Sequence, residues 1–110
     1  MRNLKLVINN VANNASKEIF FVKKELQTIL NLYGKMVSNG TWKDYGVSIS
    51  PREISFDIYQ RASEKPVYRI LKNLSPKNYN EKFYIKDKNG NILEKSSSLF
   101  NLIEKTRWNN

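Results

Sequence analysis

The stretch from Leu26 to Tyr59, LQTILNLYGKMVSNGTWKDYGVSISPREISFDIY, decides the fold, because its hydrophobic period changes partway along. Up to Val37 the apolar residues Leu26, Ile29, Leu30, Tyr33, Met36 and Val37 recur at helical spacing, with Gln27, Asn31 and Lys35 off the stripe. Asn39 and Gly40 supply a left-handed stop, so the spacing predicts a helix over residues 23–38. Beyond Gly40 the period is two. Tyr45, Val47 and Ile49 alternate with Gly46 and Ser48, a turn follows from Ser50 through Pro51 to Glu53, and Ile54, Phe56 and Ile58 alternate with Ser55, Asp57 and Tyr59. A long helix therefore feeds an antiparallel hairpin.

Upstream, Ile19 to Val22 is a short apolar, β-branched and aromatic run that predicts a strand leading into the helix. Residues 1–15, rich in Asn and without sustained periodicity, predict a flexible arm, with Leu4 to Ile8 as an edge strand. Downstream, Val67 to Lys72 predicts a third strand, entered through the turn Ser63, Glu64, Lys65, Pro66. After a loop over residues 73–80, Phe83 and Ile85 oppose Lys82, Tyr84 and Lys86 in a fourth strand. The pair Asn89 and Gly90 marks a hairpin returning through Ile92 and Leu93. Ser96 to Ser98 cap a terminal helix over residues 97–106, with Leu99, Leu102 and Ile103 on its apolar side. The fold class is α+β: a mostly antiparallel sheet of four to six strands with one long N-terminal and one short C-terminal helix packed on one face. The domain organisation expected is an arm over 1–15 and a single domain over 16–110, in keeping with a chain of 110 residues.

Composition narrows the chemistry. With no Cys and no His, disulfides, thiol nucleophiles, imidazole acid/base catalysis and structural zinc are all excluded. The acidic residues stand singly, without the clustered oxygens of a calcium or magnesium site, and the four glycines form no phosphate loop. No catalytic residue, metal or cofactor is expected, and the Ser96 to Ser98 run beside Lys95 reads as a helix cap rather than a Ser/Lys pair. No apolar run approaches the ~20 residues that span a bilayer, and Leu6 to Ile8 is too short for a signal-peptide core. A cytoplasmic, non-membrane protein is the expectation.

Charge is the outlier. Nineteen Lys plus Arg against ten Asp plus Glu give +9, of which +3 falls in residues 1–60 and +6 in residues 61–110. An anionic partner accounts for this excess, and so does a coding sequence biased toward Asn, Lys and Ile; the scarcity of Arg, the residue suited to bidentate phosphate recognition, favours the second account.

Two stretches, LQTILNLYGKMVSNGTWKDY over residues 26–45 and RASEKPVYRILK over residues 61–72, resemble a small uncharacterised family of alphaproteobacterial proteins with no assigned function. The family pattern E-L-x-x-I-L-x-x-Y-G falls on Glu25 to Gly34, G-x-W-R-D-Y on Gly40 to Tyr45, and R-x-x-E-x-P-x-Y-R-I on Arg61 to Ile70. Lys43 stands where the pattern has Arg, and Val22 where an aspartate often caps the helix. The resemblance, covering about residues 20–105, implies a domain boundary and a bacterial cytoplasmic setting, and brings no site residues with it.

Three constellations remain. Trp42, Lys43 and Tyr45 could form an exposed stacking and pairing platform for a nucleobase or a protein partner, but a tryptophan beside a tight turn is better explained as a core lid. Arg61, Glu64, Tyr68 and Arg69 surround the entry to the third strand; a structural network joining Glu64 to Arg61 or Arg69 is favoured over partner binding. Lys82, Tyr84 and Lys86, with Lys72 and Lys77 before them and Lys88 at the hairpin tip, form a basic stripe with an interleaved aromatic. Single-stranded nucleic acid wants that combination, phosphates pairing with the cations and bases stacking on the ring. Lysine on a solvated sheet face also guards against aggregation, and no recognised RNA-binding motif is present. The sequence thus predicts a non-enzymatic binding module for nucleic acid, with a protein-interaction subunit as the alternative.

Overall fold

The structure, a computed structural model, describes residues 18–61 and 65–108. The predicted arm over 1–15, its Leu4 to Ile8 strand, and Glu64 lie outside the described residues. Helix α1 (Lys23–Ser38) is followed by β1 (Asp44–Ile49), β2 (Glu53–Tyr59), β3 (Tyr68–Asn73), a 3-10 turn (Tyr79–Glu81), β4 (Phe83–Asp87), β5 (Ile92–Ser96) and α2 (Leu99–Lys105). The strands form one antiparallel meander in the order β1-β2-β3-β4-β5, as short hairpin connections favour. Both helices pack into the same hydrophobic cluster on one face, which makes the fold α+β.

Local chemistry sets each boundary. Val22 has no side-chain acceptor to cap α1; instead Glu25, in the first turn, accepts from the Val22 backbone N–H at 2.8 Å. Gly40, at φ +84°, closes the helix in the left-handed region, and Gly90, at φ +85°, turns the β4–β5 hairpin. Ser98 caps α2, its Oγ accepting from Asn101 N–H at 3.2 Å. The third strand begins at Tyr68 rather than Val67, and the return after Gly90 extends to Ser96.

The core lies between sheet and helices. Ile29 and Met36 of α1 and Leu99, Leu102 and Ile103 of α2 meet Ile54, Phe56 and Ile58 of β2, Ile70 of β3, and Phe83 and Ile85 of β4. Each fully buried isoleucine in this layer is worth about 1.5–3 kcal/mol over exposure. Two departures from expectation follow from this packing. The run Ile19 to Val22 forms no strand: Phe20 and Phe21 are buried as an edge-to-face pair 5.6 Å apart, anchoring the chain ahead of α1. On α1 itself Leu30 and Val37 remain exposed while Leu32 packs against the core, so the buried stripe is rotated from the one the spacing predicts.

Lys72 is the larger correction. It lies in register with Ile54 and Phe83, on the helix face, and is 0 % exposed. Its ammonium has no route to solvent and is matched by three acceptors: Glu25 Oε1 at 2.7 Å, Glu18 Oε1 at 2.7 Å and the Phe20 carbonyl at 3.0 Å. Three donors meet three acceptors, which is the condition for tolerating a buried ammonium. Lys72 is therefore no part of a phosphate-binding stripe; it is the peg that fixes the start of α1 to β3. Burial pushes the Glu18 carboxyl up, but the hydrogen bond and charge of Lys72, with Lys82 adding to them, outweigh it and hold the group below its ordinary value. A depressed carboxyl contributes stability that is present above the ordinary carboxylate range and is lost as pH falls through the folded value.

Truncating Lys72→Ala leaves two carboxylates and a carbonyl without their cation, and should lower the unfolding free energy by about 3 kcal/mol in urea denaturation at neutral pH. The double change Lys72→Met with Glu25→Gln removes the ammonium and its more deeply buried carboxylate, leaving half-exposed Glu18 beside Lys82, and should cost less than half as much, by the same measurement.

Candidate nucleic-acid interface on the open sheet face

The face turned away from the helices is built from the alternate residues of the same strands. Two cross-strand rows define it: Ser48, Ser55, Leu71, Tyr84 and Lys95 in one, and Gly46, Asp57, Arg69, Lys86 and Ile92 in the other, with an irregularity at Ile85/Lys86. Small residues on β1 and β2 leave room for a buried polar network. Asp57 accepts from Ser48 Oγ at 2.7 Å, Ser55 Oγ at 2.8 Å and Arg69 Nε at 2.9 Å, while Arg69 Nη2 donates to Ser55 Oγ at 3.0 Å. Arg69 thus pairs with Asp57, one strand away, and this is the role that sequence reading left to Glu64. Leu71 is buried beside this network, so this face is covered by its own long side chains rather than open to water throughout.

Tyr84 donates its phenol proton to Glu53 Oε1, and Lys86 Nζ sits 5.8 Å from the centre of its ring. Burial, then the hydrogen bond and charge of Glu53, push the Tyr84 phenol well above its ordinary value, with Arg69 opposing. Around this pair two shallow grooves meet. One, of about 250 Å³, is lined by Asn73, Glu81, Tyr84, Lys86, Ile92 and Lys95; the other, of about 500 Å³, by Arg52, Glu53, Asn73, Ser75, Lys77 and Glu81. They share Asn73 and Glu81, giving one trough with cations at both ends. Glu81 pairs with Lys95 at 3.3 Å and Glu53 is taken up by Tyr84, whereas Arg52, Lys77 and Lys86 have no ion-pair partner among the described residues.

The structure brings together only part of the predicted stripe. Tyr84, Lys86 and Lys77 line the trough, and Lys88 lies apart at the β4–β5 tip with Tyr68, Asp87 and Leu93. Lys82 does not share the face of Tyr84. Its helical backbone, φ −63° and ψ −38°, breaks the alternation just before β4, and its ammonium lies 3.6 Å from Glu18 and 5.5 Å from the Phe83 ring centre. Lys72 is buried on the opposite face, as described above. Sequence reading missed Lys95, whose place opposite Tyr84 depends on strand pairing, and Arg52, which reaches the trough from the β1–β2 turn. It also passed over Tyr79, 68 % exposed on the 3-10 turn two residues after Lys77, although an aromatic in a polar loop was a visible signal.

The other group separates as well. Trp42 is buried against Tyr33, Tyr68 and Trp108, at centroid distances of 6.2, 6.2 and 5.5 Å, so it forms the core lid and no stacking platform. Lys43 is exposed, its backbone N–H tied to the Tyr59 carbonyl at 2.9 Å, and Arg61 is exposed just beyond β2. Tyr45 is half-exposed but stacks flat on Phe56 at 4.7 Å, on the helix side of the sheet.

An antiparallel sheet with helices on one side and a partly solvated, cation-rimmed trough on the other is the class of architecture these features define. The chain matches the family described as "Protein of unknown function (DUF2794)" over residues 19–103, most of its length, and belongs to that family. No curated protein and no solved structure matches it. Among the described residues no group of three or more acidic side chains is placed to hold a metal ion, and no helix is long and apolar enough to cross a membrane.

Tyr84→Phe should lower stability at pH 7 by about 1 kcal/mol, since the Glu53 carboxylate loses its donor. A raised phenol pKa contributes stability that is complete below the ordinary tyrosine value of about 10 and is lost as pH rises toward the folded value. Urea titrations of wild type and variant should therefore converge as pH is raised past about 10.

Proposed function

We propose that this protein is a non-enzymatic cytoplasmic module that binds single-stranded nucleic acid along the trough of its open sheet face. The observation that carries the reading is the set of cations at the trough ends, Arg52, Lys77 and Lys86, without acidic partners among the described residues, while the carboxylates between them are occupied by Lys95 and Tyr84. A phosphate chain laid in the trough would meet positive charge at both ends. Exposed Tyr79, beside Lys77 in sequence, supplies a flat surface for an unpaired base, and Tyr84 supplies a second when Lys86 swings from its ring to a phosphate. A duplex suits the site less well, because no residue of α1 or α2 lines the trough, so no helix stands there to enter a groove. The absence of His and Cys from the sequence supports a binding rather than a catalytic role.

Titration of the protein with a labelled single-stranded RNA or DNA oligonucleotide tests this. If about three to four phosphates are neutralised, raising salt from 50 to 200 mM should weaken binding about 20- to 50-fold. Lys77→Ala with Lys86→Ala should flatten the salt dependence by about one unit of logarithmic slope while leaving the fold intact. Absence of binding at the lower salt concentration overturns the proposal.

A further inference from the structure

The opposite edge of the sheet carries a separate feature. Among the described residues β1 is an edge strand, paired only with β2 in the sheet. The phase of its backbone is set by the Ser50 N–H donating to the Glu53 carbonyl at 2.9 Å, and by the register Ser48↔Ser55 and Gly46↔Asp57. Alternation then turns the peptide groups of Gly46 and Ser48 toward β2 and those of Tyr45, Val47 and Ile49 outward. The side chains of those same three residues stand on the helix face, in register with Ile58, Phe56 and Ile54, yet remain 46 %, 42 % and 65 % exposed. The flank of α1 nearest them is also bare: Tyr33 meets Tyr45 at 5.1 Å, and Leu30 and Val37, one turn either side of Tyr33, are exposed. Edge strands are ordinarily guarded by lysine or proline. The β5 edge carries Glu94 and Lys95, whereas β1 has no charge between Asp44 and Ile49.

We infer that β1 is the self-association edge of this protein, where a second copy of the chain adds its own β1 antiparallel to form a continuous two-fold sheet. The strand is complementary to itself. A two-fold axis through Val47 places Val47 against Val47 and Tyr45 against Ile49 of the other copy, each pair on the apolar face and each using the outward peptide groups, for about six backbone hydrogen bonds, in two of which the Tyr45 N–H exchanges the Asp44 carboxylate, its acceptor at 2.8 Å, for the other strand. The same axis sets Asp44 opposite Ser50 of the other copy, so no like charges face each other along the seam. The arrangement also suits the net charge: the basic excess of +6 lies in residues 61–110, on the strands farther from this edge, so the two cationic regions stay apart. It does not rest on nucleic-acid binding.

Analytical ultracentrifugation of the full chain, over a concentration series, should show a species of twice the 12.9 kDa chain mass. Val47→Lys, which places two cations against each other on the axis, should shift it to monomer with an unchanged circular dichroism spectrum; Ile49→Lys, at a more exposed position, does the same if the first variant fails to fold. Because the chain has no cysteine, Val47→Cys should form a disulfide-linked dimer on oxidation while Ser48→Cys, on the other face, should not. A wild-type monomer at every concentration overturns the inference, whether amide exchange shows the outward β1 amides open or covered by another part of the chain. A dimer that survives Val47→Lys and Ile49→Lys and does not cross-link through Val47→Cys overturns it too, because its interface is then elsewhere.

Discussion

The buried ammonium of Lys72 is the constraint around which the helical layer is arranged. A charge placed at 0 % exposure under a helix is tolerated only if its acceptors are held in position, and here they come from the segment just before α1 and from its first turn. Glu25 serves twice, accepting from Lys72 and from the Val22 N–H, so the interaction that satisfies the buried charge also starts the helix. With that end fixed, Ile29 and Met36 of the helix join the same buried cluster as Ile54, Phe56 and Ile58 of β2 and Ile70 of β3. The aromatic cluster of Tyr33, Trp42, Tyr68 and Trp108 closes the other end.

β3 divides its residues between two different environments. Tyr68, Ile70 and Lys72 face the helices, while Arg69 and Leu71 stand on the opposite, open face. Its two charged groups are consumed structurally, one by Glu25 and Glu18, the other by Asp57. On the open face itself, the cations left without acidic partners among the described residues, Arg52, Lys77 and Lys86, stand on turns and on β4. A central strand is desolvated on both faces, and a charge there must be matched within the protein; margins keep solvent and can leave charge available to a ligand. The β1 edge, by contrast, carries no charge between Asp44 and Ile49.

Much of the architecture was legible in the residues. The change of period after Gly40 marks the passage from helix to sheet, Asn89 and Gly90 mark the last hairpin, and Ser98 marks the start of α2, because each depends on neighbours within a few positions. The candidate site was less so. Lys82 was placed beside Tyr84 by extending a strand one residue too far, where a single helical backbone conformation reverses the side chain. The burial of Lys72 did have a signal, its alternation with Ile70 and Tyr68, but charge alone suggested the opposite face.

Local sequence, then, determined the kind and order of the elements and the excess of positive charge, since periodicity, turn chemistry and composition are properties of short segments. Only the tertiary structure decided which lysines are buried, that Arg69 belongs to Asp57, that Lys95 joins Tyr84 across the hairpin, and that Tyr45, Val47 and Ile49 of β1 are exposed. Those outcomes depend on strand register and on where helices cover the sheet, and both are fixed by the simultaneous burial of residues far apart in the chain.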